Sequence, residues 1–418
     1  MNVQSADILI SKQKLKPMNS AMLATHTLNN IISVFVSTFL IAYIYSLSDN
    51  YVLNVATFYV FNYLTMMTFY FIVSCIIDKT NRIGFYRIAI VIRTIFILCV
   101  VFWGPNLAKY VILAGALNGF SEACYWTSYN LMKNELVSKH AVAKYSGMQY
   151  IVCEITNIVV PITLGSIISA AHFATCAKII SVIAVLELVF SIFIKSKRPE
   201  NSGFDIKGFF KDIKLKGNDG SLIIASIIIG ALNGFTTILT PLRTIIVMYE
   251  FGSDFSLGII TSVIAILTLL TIILVRKFTK IGQRKWVFII SAILPFFSTI
   301  LLCVNVSKIT VIIYLLVTAL CMIIHAMSYD VIRNILLKKL NLYDDIAEYQ
   351  CAIECLMSAC RVLIFIVMLI TGIVGAWLGS VFTALRIFMC VAVLSISVVD
   401  IYLLVMEKRL ITRGITED

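Results

Sequence analysis

The chain has 418 residues, of which 60% are hydrophobic and only 13% are charged. Soluble domains carry about 25% charged residues, so this composition excludes a water-soluble globular protein and predicts a polytopic membrane protein. The formal net charge of +12 would favour nucleic-acid binding in a soluble protein. Here it is better explained by basic cytoplasmic loops, and no nucleic-acid partner is expected.

Long apolar runs divide the chain into an all-α bundle of twelve predicted transmembrane helices. A helix needs about 20 residues to cross the hydrocarbon core of a bilayer, and each run is about that long or longer. The predicted spans cover residues 22–47, 52–77, 85–104, 108–132, 146–170, 174–195, 221–247, 256–275, 286–304, 309–333, 349–375 and 382–405.

The basic residues predict the orientation of these spans. If both termini are cytoplasmic, the outside loops hold few of the 34 lysines and arginines, namely Lys109, Lys178 and Lys308. Four more fall within spans, namely Arg93, Arg243, Arg361 and Arg386. The others lie in inside segments, in agreement with the positive-inside rule.

The predicted organisation is two six-helix bundles joined by a basic loop. Its parts are a cytoplasmic N-terminal segment (1–21), an N-terminal bundle (22–195), a cytoplasmic central loop (196–220), a C-terminal bundle (221–406) and a cytoplasmic tail (407–418). Within the loop, FDIKGFFKDIKLK alternates apolar residues with lysines. This pattern is typical of a short amphipathic helix on the membrane surface, and a disordered basic linker is the alternative.

The two halves share unusual residues at a nearly constant offset. Ser128-Tyr129-Asn130 corresponds to Ser328-Tyr329-Asp330, and Glu154 corresponds to Glu354, all at an offset of 200. The loop DKTNRIGFYR at 78–87 corresponds to RKFTKIGQRK at 276–285. Duplicated six-helix halves are typical of secondary transporters.

The first of these loops resembles the signature motif of the major facilitator superfamily, G-x-x-x-D-[RK]-x-G-R-[RK]. Asp78 and Lys79 match its acidic and basic pair, and Arg82, Gly84 and Arg87 supply the later basic and glycine positions. The resemblance in span number, charge and symmetry covers nearly the whole chain. It implies a loop that ties helix ends together in one conformational state and releases them in the other. A plain basic turn is the alternative.

The resemblance also implies that spans one, four, seven and ten line a central cavity. We predict that Glu122 of span four binds substrate or carries a proton, since a buried carboxylate is costly in a membrane. Tyr125 and Trp126 follow it by one helical turn, and Tyr129 lies close by. The other candidates for substrate binding are Asn30, Asn233 and His325. A purely structural role for Glu122 is the alternative.

Four further residues are candidates for proton coupling or gating, namely Glu154, Glu354, Arg361 and Asp330. Arg361 lies two turns beyond Glu354, where it could latch the halves together or attract an anionic substrate. A structural interhelical pair is the alternative. The ionisable residues of the outer spans, Arg93, Glu187, Arg386 and Asp400, are predicted to be packing partners or interfacial residues.

The predicted function is proton-coupled transport of a small organic molecule by alternating access. Export is favoured slightly over uptake, because Pro161 and Gly165 form part of a pattern typical of exporters in span five. An uptake permease, a flippase for lipid-linked molecules, and a non-transporting sensor or partner subunit are the alternatives.

Enzymatic activity is not predicted. The sequence shows no nucleophile–base set, P-loop or metal-ligand spacing, and its eleven cysteines include no C-x-x-C pair. Neither a metal nor a cofactor is therefore expected. The expected partners are the small-molecule substrate, protons and membrane lipid. The bias toward isoleucine, lysine and asparagine favours a bacterial plasma membrane, in which a monomer is expected.

Overall fold

The computed structural model describes residues 17–77, 79–136, 142–195, 203–278, 285–340, 342 and 345–412. Its helices are α1 (Pro17–Val34), α2 (Ile41–Ser46), α3 (Tyr51–Ile77), α4 (Arg82–Trp103), α5 (Val111–Leu136), α6 (Val142–Ser191), α7 (Ile206–Leu215), α8 (Asn218–Leu232), α9 (Leu239–Phe251), α10 (Asp254–Phe278), α11 (Lys285–Val304), α12 (Lys308–Lys339), α13 (Ile346–Trp377) and α14 (Val381–Thr412). The described part of the chain contains no strand, so the predicted all-α class is confirmed.

Irregular turns interrupt the helical path at four described places, one of them the 3-10 turn Gly104–Tyr110 between α4 and α5. A π-helical turn, Phe35–Leu40, joins α1 to α2, and a 3-10 turn, Asn233–Ile238, joins α8 to α9. In α6 the backbone leaves the helical region at Ala171 and His172, where His172 has a φ of 67°. This break divides α6 into two helices at the position predicted for the turn between spans five and six.

The apolar helices are compatible with twelve crossings. Nine tracts among the described residues are long and apolar enough to cross a membrane, and Phe288–Val304 is a shorter apolar helix. Two of the nine, Arg82–Lys133 and Gly147–Ser191, contain 52 and 45 residues. At about 1.5 Å per residue, each is long enough to cross about 30 Å of hydrocarbon twice.

Close packing of α5 on α3 depends on two glycines spaced four residues apart. A Cβ at Gly115 would collide with the carbonyl oxygen of Phe58, and one at Gly119 would collide with that of Asn62. Small residues at this spacing let membrane helices approach backbone to backbone. The absence of these side chains therefore sets the distance between α3 and α5.

We expect Gly119→Ala to lower the thermal unfolding midpoint of the detergent-solubilised protein by several degrees. The added methyl group has to push two backbones apart, and overpacking of this kind costs about 1–3 kcal/mol. The matched control is Gly147→Ala, because a Cβ at Gly147 meets no atom within 4 Å. Equal midpoints for the two variants would contradict the packing role of Gly119.

The halves are joined differently at the two ends of the bundle. We call the end at which the described chain begins and finishes the terminal end. At the opposite end, one hydrophobic core contains Phe39 and Val52 of the first half together with Ile245 and Phe365 of the second. At the terminal end one cluster belongs to the first half and two belong to the second, and a smaller cluster joins Met66 and Tyr70 of α3 to Cys351 of α13. The opposite end is thus sealed by packing across the two halves.

Two helix pairs bring the halves into close contact. Along α3 and α13, Tyr59 stacks on Phe365 with ring centroids 4.5 Å apart. Between α6 and α10, a Cβ at Gly165 would lie 2.6 Å from the carbonyl oxygen of Asp254, and one at Gly258 would collide with that of Pro161. We call this second contact, at the opposite end, the glycine seam.

The central loop contains the helix that its sequence pattern predicts. Asp205 caps α7 by accepting hydrogen bonds from the backbone amides of Lys207 and Gly208. Phe209 and Ile213 are buried in a cluster with residues of α8, α12 and α13, including Tyr349. The apolar face of α7 thus packs on the second half of the protein, and the position of this helix on the membrane surface stays a prediction.

A charged cavity between the two halves

A cavity of about 430 Å³ lies between the two halves, within the size range of ligand pockets in proteins. Its wall comes from α1, α3, α4 and α5 on one side and from α9, α13 and the 3-10 turn before α9 on the other. Four ionisable side chains, Arg93, Glu122, Glu354 and Arg361, line it among aromatic and aliphatic residues.

Glu122 lies in the cavity wall with both carboxylate oxygens hydrogen-bonded. Arg93 of α4 donates from Nη2 to Oε1 at 3.2 Å, and Trp126 donates from Nε1 to Oε2 at 2.6 Å. The Glu122 side chain is 20% exposed, whereas that of Arg93 is 1% exposed. The carboxylate is therefore held rigidly by a buried cation while one face remains open to the cavity.

A second carboxylate approaches Arg93 from behind. Glu187 of α6 is fully buried, and its Oε1 lies 3.7 Å from Nη1 of Arg93. Neither oxygen of Glu187 has a hydrogen-bond partner among the described residues. With both carboxylates ionised, this group of three residues, the Arg93 cluster, carries one net negative charge. Arg93 and Glu187, predicted as packing partners or interfacial residues of outer spans, are buried against each other, and Arg93 also lines the cavity, which was not predicted.

Arg361 extends from α13 into the other side of the cavity. Its guanidinium donates to two thioether sulfurs, from Nη2 to Met357 at 3.3 Å and from Nη1 to Met66 at 3.9 Å. It also lies 5.0 Å from the ring centroid of Tyr63. No carboxylate among the described side chains, Glu354 included, lies within ion-pair distance of it. The predicted latch between Glu354 and Arg361 is therefore not a direct ion pair in this conformation.

The aromatic residues predicted near Glu122 separate into two groups. Trp126 lines the cavity beside it, whereas Tyr125 and Tyr129 are fully buried and turn toward α1. There His26 Nδ1 lies 2.8 Å from the hydroxyl of Tyr125, and its ring stacks on Tyr129 with centroids 4.5 Å apart. Tyr125 still supports the cavity, because the Arg93 guanidinium lies 4.9 Å from its ring centroid. The two tyrosines do not form part of the cavity wall.

Two other predicted substrate ligands, Asn233 and His325, meet inside the second half. His325 Nε2 lies 2.9 Å from Oδ1 of Asn233, and Nδ1 lies 2.7 Å from Oδ1 of Asp400 on α14. Ser291 of α11 donates to the other Asp400 oxygen at 2.9 Å. Asp400, predicted as a peripheral residue, thus closes a buried polar network. This network ties four helical segments together and does not line the cavity.

The remaining predicted site residues lie apart from the cavity wall, except Glu354. Asn30 donates to the side-chain oxygen of Asn157 at 3.1 Å, which joins α1 to α6. One oxygen of Glu154 on α6 is buried without a hydrogen-bond partner among the described residues. Asp330 is exposed on α12. Their roles in binding, coupling and gating stay predictions.

In the loop that resembles the superfamily motif, residues 78–87, Arg87 makes specific contacts with the end of another helix. Arg87 at the start of α4 donates to the carbonyl oxygens of Ser191, Ile192 and Ile194 at 3.3, 3.5 and 3.5 Å, which satisfies the C-terminal end of α6. Lys79 is exposed, and Arg82 and Gly84 are half-buried. Asp78 lies outside the described residues. Arg87 thus joins the start of α4 to the end of α6, while the predicted tie through Asp78 and the switching role of the loop stay predictions.

The described residues hold no group of three or more His, Cys, Asp or Glu side chains arranged for a metal. A helical membrane protein whose halves enclose a charged central cavity has the architecture of a secondary transporter. A family model for the Major Facilitator Superfamily matches residues 18–344. The chain therefore belongs to this superfamily and is a membrane transporter of its type.

Individual relatives are distant. The chain is 22% identical over 303 residues to the uncharacterized protein YqgE of Bacillus subtilis (strain 168), across 71% of this chain and 69% of that protein. The fold is similar to a crystal structure of a variant of the nucleoside transporter NupG, with a TM-score of 0.67, 14% identity and coverage of 93% and 99% of the two chains. It is also similar to a POT family transporter in complex with 5-aminolevulinic acid, with a TM-score of 0.66, 11% identity and coverage of 94% and 96%.

Proposed function

We propose that this protein exports a small organic molecule across a bacterial plasma membrane in exchange for protons. Its two halves, 22–195 and 221–406, move against each other around the central cavity, and both termini are cytoplasmic. The observation that carries this proposal is the Arg93 cluster, in which two carboxylates share one guanidinium and one of them, Glu122, lies at the wall of a cavity between the halves.

The Arg93 cluster can exchange a proton for a substrate group. Two carboxylates compete for one guanidinium, so one negative charge is left in a low-dielectric setting, where it is expensive. A proton on Glu122 removes this cost, and so does a cationic group of the substrate. Because the two compete for the same oxygens, binding of one favours release of the other, and this competition is the basis of exchange.

The packing of the bundle supports an alternating-access cycle. The opposite end is sealed by one large core shared by both halves, whereas at the terminal end three clusters each belong to one half and a smaller one joins α3 to α13. In the proposed orientation the large shared core faces outside and the terminal end faces the cytoplasm. Pro161 and Gly165, the residues of the exporter-like pattern, lie in the glycine seam that must separate for release outside.

The proposal is tested by finding the solute and then measuring its coupling. Metabolite profiles of cells with and without the gene identify candidate solutes, whose flux is then followed in proteoliposomes with and without a pH gradient. We expect a gradient that is acidic outside to accelerate export, and Glu122→Gln to reduce this acceleration at least tenfold. An amide presents the same shape as the acid but cannot take up a proton at neutral pH.

Glu250→Gln is the matched control, because Glu250 is a carboxylate of the second half outside the cavity wall. It is expected to leave coupled flux unchanged. Flux that is identical with and without the gradient would contradict proton coupling. A metabolite profile that does not depend on the gene would contradict transport itself.

A further inference from the structure

The central cavity is electrically asymmetric. Its first side carries the Arg93 cluster, with an open carboxylate face at Glu122 and, with both carboxylates ionised, one excess negative charge. Its second side carries the guanidinium of Arg361, which contacts two methionine sulfurs and one aromatic ring, and the carboxylate of Glu354, which does not lie within ion-pair distance of Arg361. A single substrate in this space is therefore offered a negative site on one half of the protein and a positive site on the other.

Arg361 is half-buried within a predicted span and lacks the oxygen acceptors that a guanidinium normally requires there. It has five N–H donors in a planar fork that suits an oxyanion, whereas a thioether sulfur is only a weak acceptor. Its Nε is buried without a hydrogen-bond partner among the described residues. A carboxylate of a ligand would satisfy donors that the protein leaves unmet, and it would neutralise a charge that is costly in the membrane.

A second guanidinium reinforces the positive side. Arg243 of α9 lines a neighbouring cavity of about 310 Å³ inside the second half, and Thr240 lines both cavities. No described carboxylate pairs with Arg243, and its Nε is likewise buried without a hydrogen-bond partner among the described residues. Arg243 lies near Tyr59, which stacks on Tyr63 beneath Arg361. The two arginines thus flank one tyrosine pair of α3 and create a region of positive potential.

We propose that the cavity binds a zwitterionic small molecule, with its ammonium group at Glu122 and its carboxylate at Arg361. Arg243 assists the carboxylate through its electrostatic potential. This inference rests on the proposed transport function and specifies its substrate class. It also gives a reason for the position of the charges on opposite halves: a zwitterion bridges them, so a bound substrate neutralises both sites before the halves rearrange around it.

The test is a binding screen with chemically matched probes. Amino acids and ω-amino acids are each compared with their C-terminal amide, which removes the anion, and their N-acetyl derivative, which removes the cation. Binding is measured at neutral pH as the rise in thermal unfolding midpoint of the purified protein. We expect at least one free zwitterion to stabilise the protein while its amide and its N-acetyl derivative do not.

Variants then locate the two ends of the ligand. We expect Arg361→Gln to weaken binding of the zwitterion about tenfold or more, Arg361→Lys to retain part of it, and Arg243→Gln to weaken it by less than Arg361→Gln. Arg386→Gln is the matched control, since Arg386 is within a span but lines neither cavity. Every variant is first shown to be monodisperse with an unfolding midpoint close to that of the parent.

Three results would overturn the zwitterion proposal: amides that bind as well as the free acids, N-acetyl derivatives that bind as well, or no binding across the panel. Its failure is distinguishable from failure of the transport proposal. A purely cationic solute whose export follows the pH gradient would refute zwitterion binding alone. Zwitterion binding without any flux in proteoliposomes would refute transport alone.

Discussion

Replacement of Gly258 by valine is expected to open the sealed end of the bundle and to slow transport at least tenfold. Gly258 lies in the glycine seam, where even a Cβ would collide with the carbonyl oxygen of Pro161 in the other half. The valine side chain cannot be accommodated while the two backbones remain in contact. The valine therefore destabilises the conformation in which the glycine seam is closed but not a conformation in which the seam is separated. As a result, the population shifts toward the conformation with the separated seam.

Hydrogen–deuterium exchange reports this shift without a substrate. We expect faster exchange in the Gly258→Val protein at Ile41–Ser46 and Leu239–Phe251, the helices that pack together at the opposite end. Gly147→Val is the matched control on α6, because Gly147 has open space around it. Unchanged exchange at these segments in a folded Gly258→Val protein would contradict the role of the seam as a gate.

The fold was largely predictable because a bilayer constrains sequence strongly. The hydrocarbon thickness sets a minimum length for apolar runs, and positive charge is retained on one side, so the spans and their turns follow from local composition. Even the turn between spans five and six coincides with the break at His172. The packing of α7 on the second half was not predicted, because an amphipathic pattern shows which face is buried but not whether lipid or protein buries it.

The site was predictable only in part. A charged residue in an apolar run is energetically costly to bury and is therefore a candidate site residue, but the sequence does not show toward which neighbouring helix or cavity its side chain points. Glu122, Glu354 and Arg361 were identified as expensive residues, and all three line the cavity. Tyr125 and Trp126 are adjacent in sequence, yet only Trp126 faces the cavity, because a rotation of about 100° per residue separates neighbours on a helix. Periodicity relates residues to one another, but it does not identify the side that faces the cavity.

The Arg93 cluster was missed because its members were assigned one helix at a time. Arg93 and Glu187 lie in spans that the family resemblance places at the periphery, where snorkelling to the interface is a common alternative. Both are nevertheless almost completely inaccessible. The signal available in the sequence was the pairing itself: a buried charge requires a partner of opposite sign, and an arginine in one outer span and a glutamate in another satisfy this requirement for each other.

The strongest loss of stability is expected from Arg93→Gln. This change leaves Glu187 fully buried without its only described cationic neighbour, and breaking a buried charge pair by removing one partner costs about 3–5 kcal/mol. Adding Glu187→Gln removes the stranded charge, so the double variant should recover most of the lost stability in a thermal or denaturant unfolding series.

The same pair of variants separates folding from coupling. The double variant retains Glu122 but replaces both groups that set its electrostatic environment, so we expect a stable protein whose flux no longer follows the pH gradient. A structural role for the Arg93 cluster predicts instead that coupling returns together with stability. In the double variant the Glu122 carboxylate keeps only its hydrogen bond from Trp126. This hydrogen bond is expected whether the Arg93 cluster acts in coupling or only in folding. If the double variant shows proton-coupled flux as fast as that of the parent protein, a role of Arg93 and Glu187 in proton coupling is contradicted.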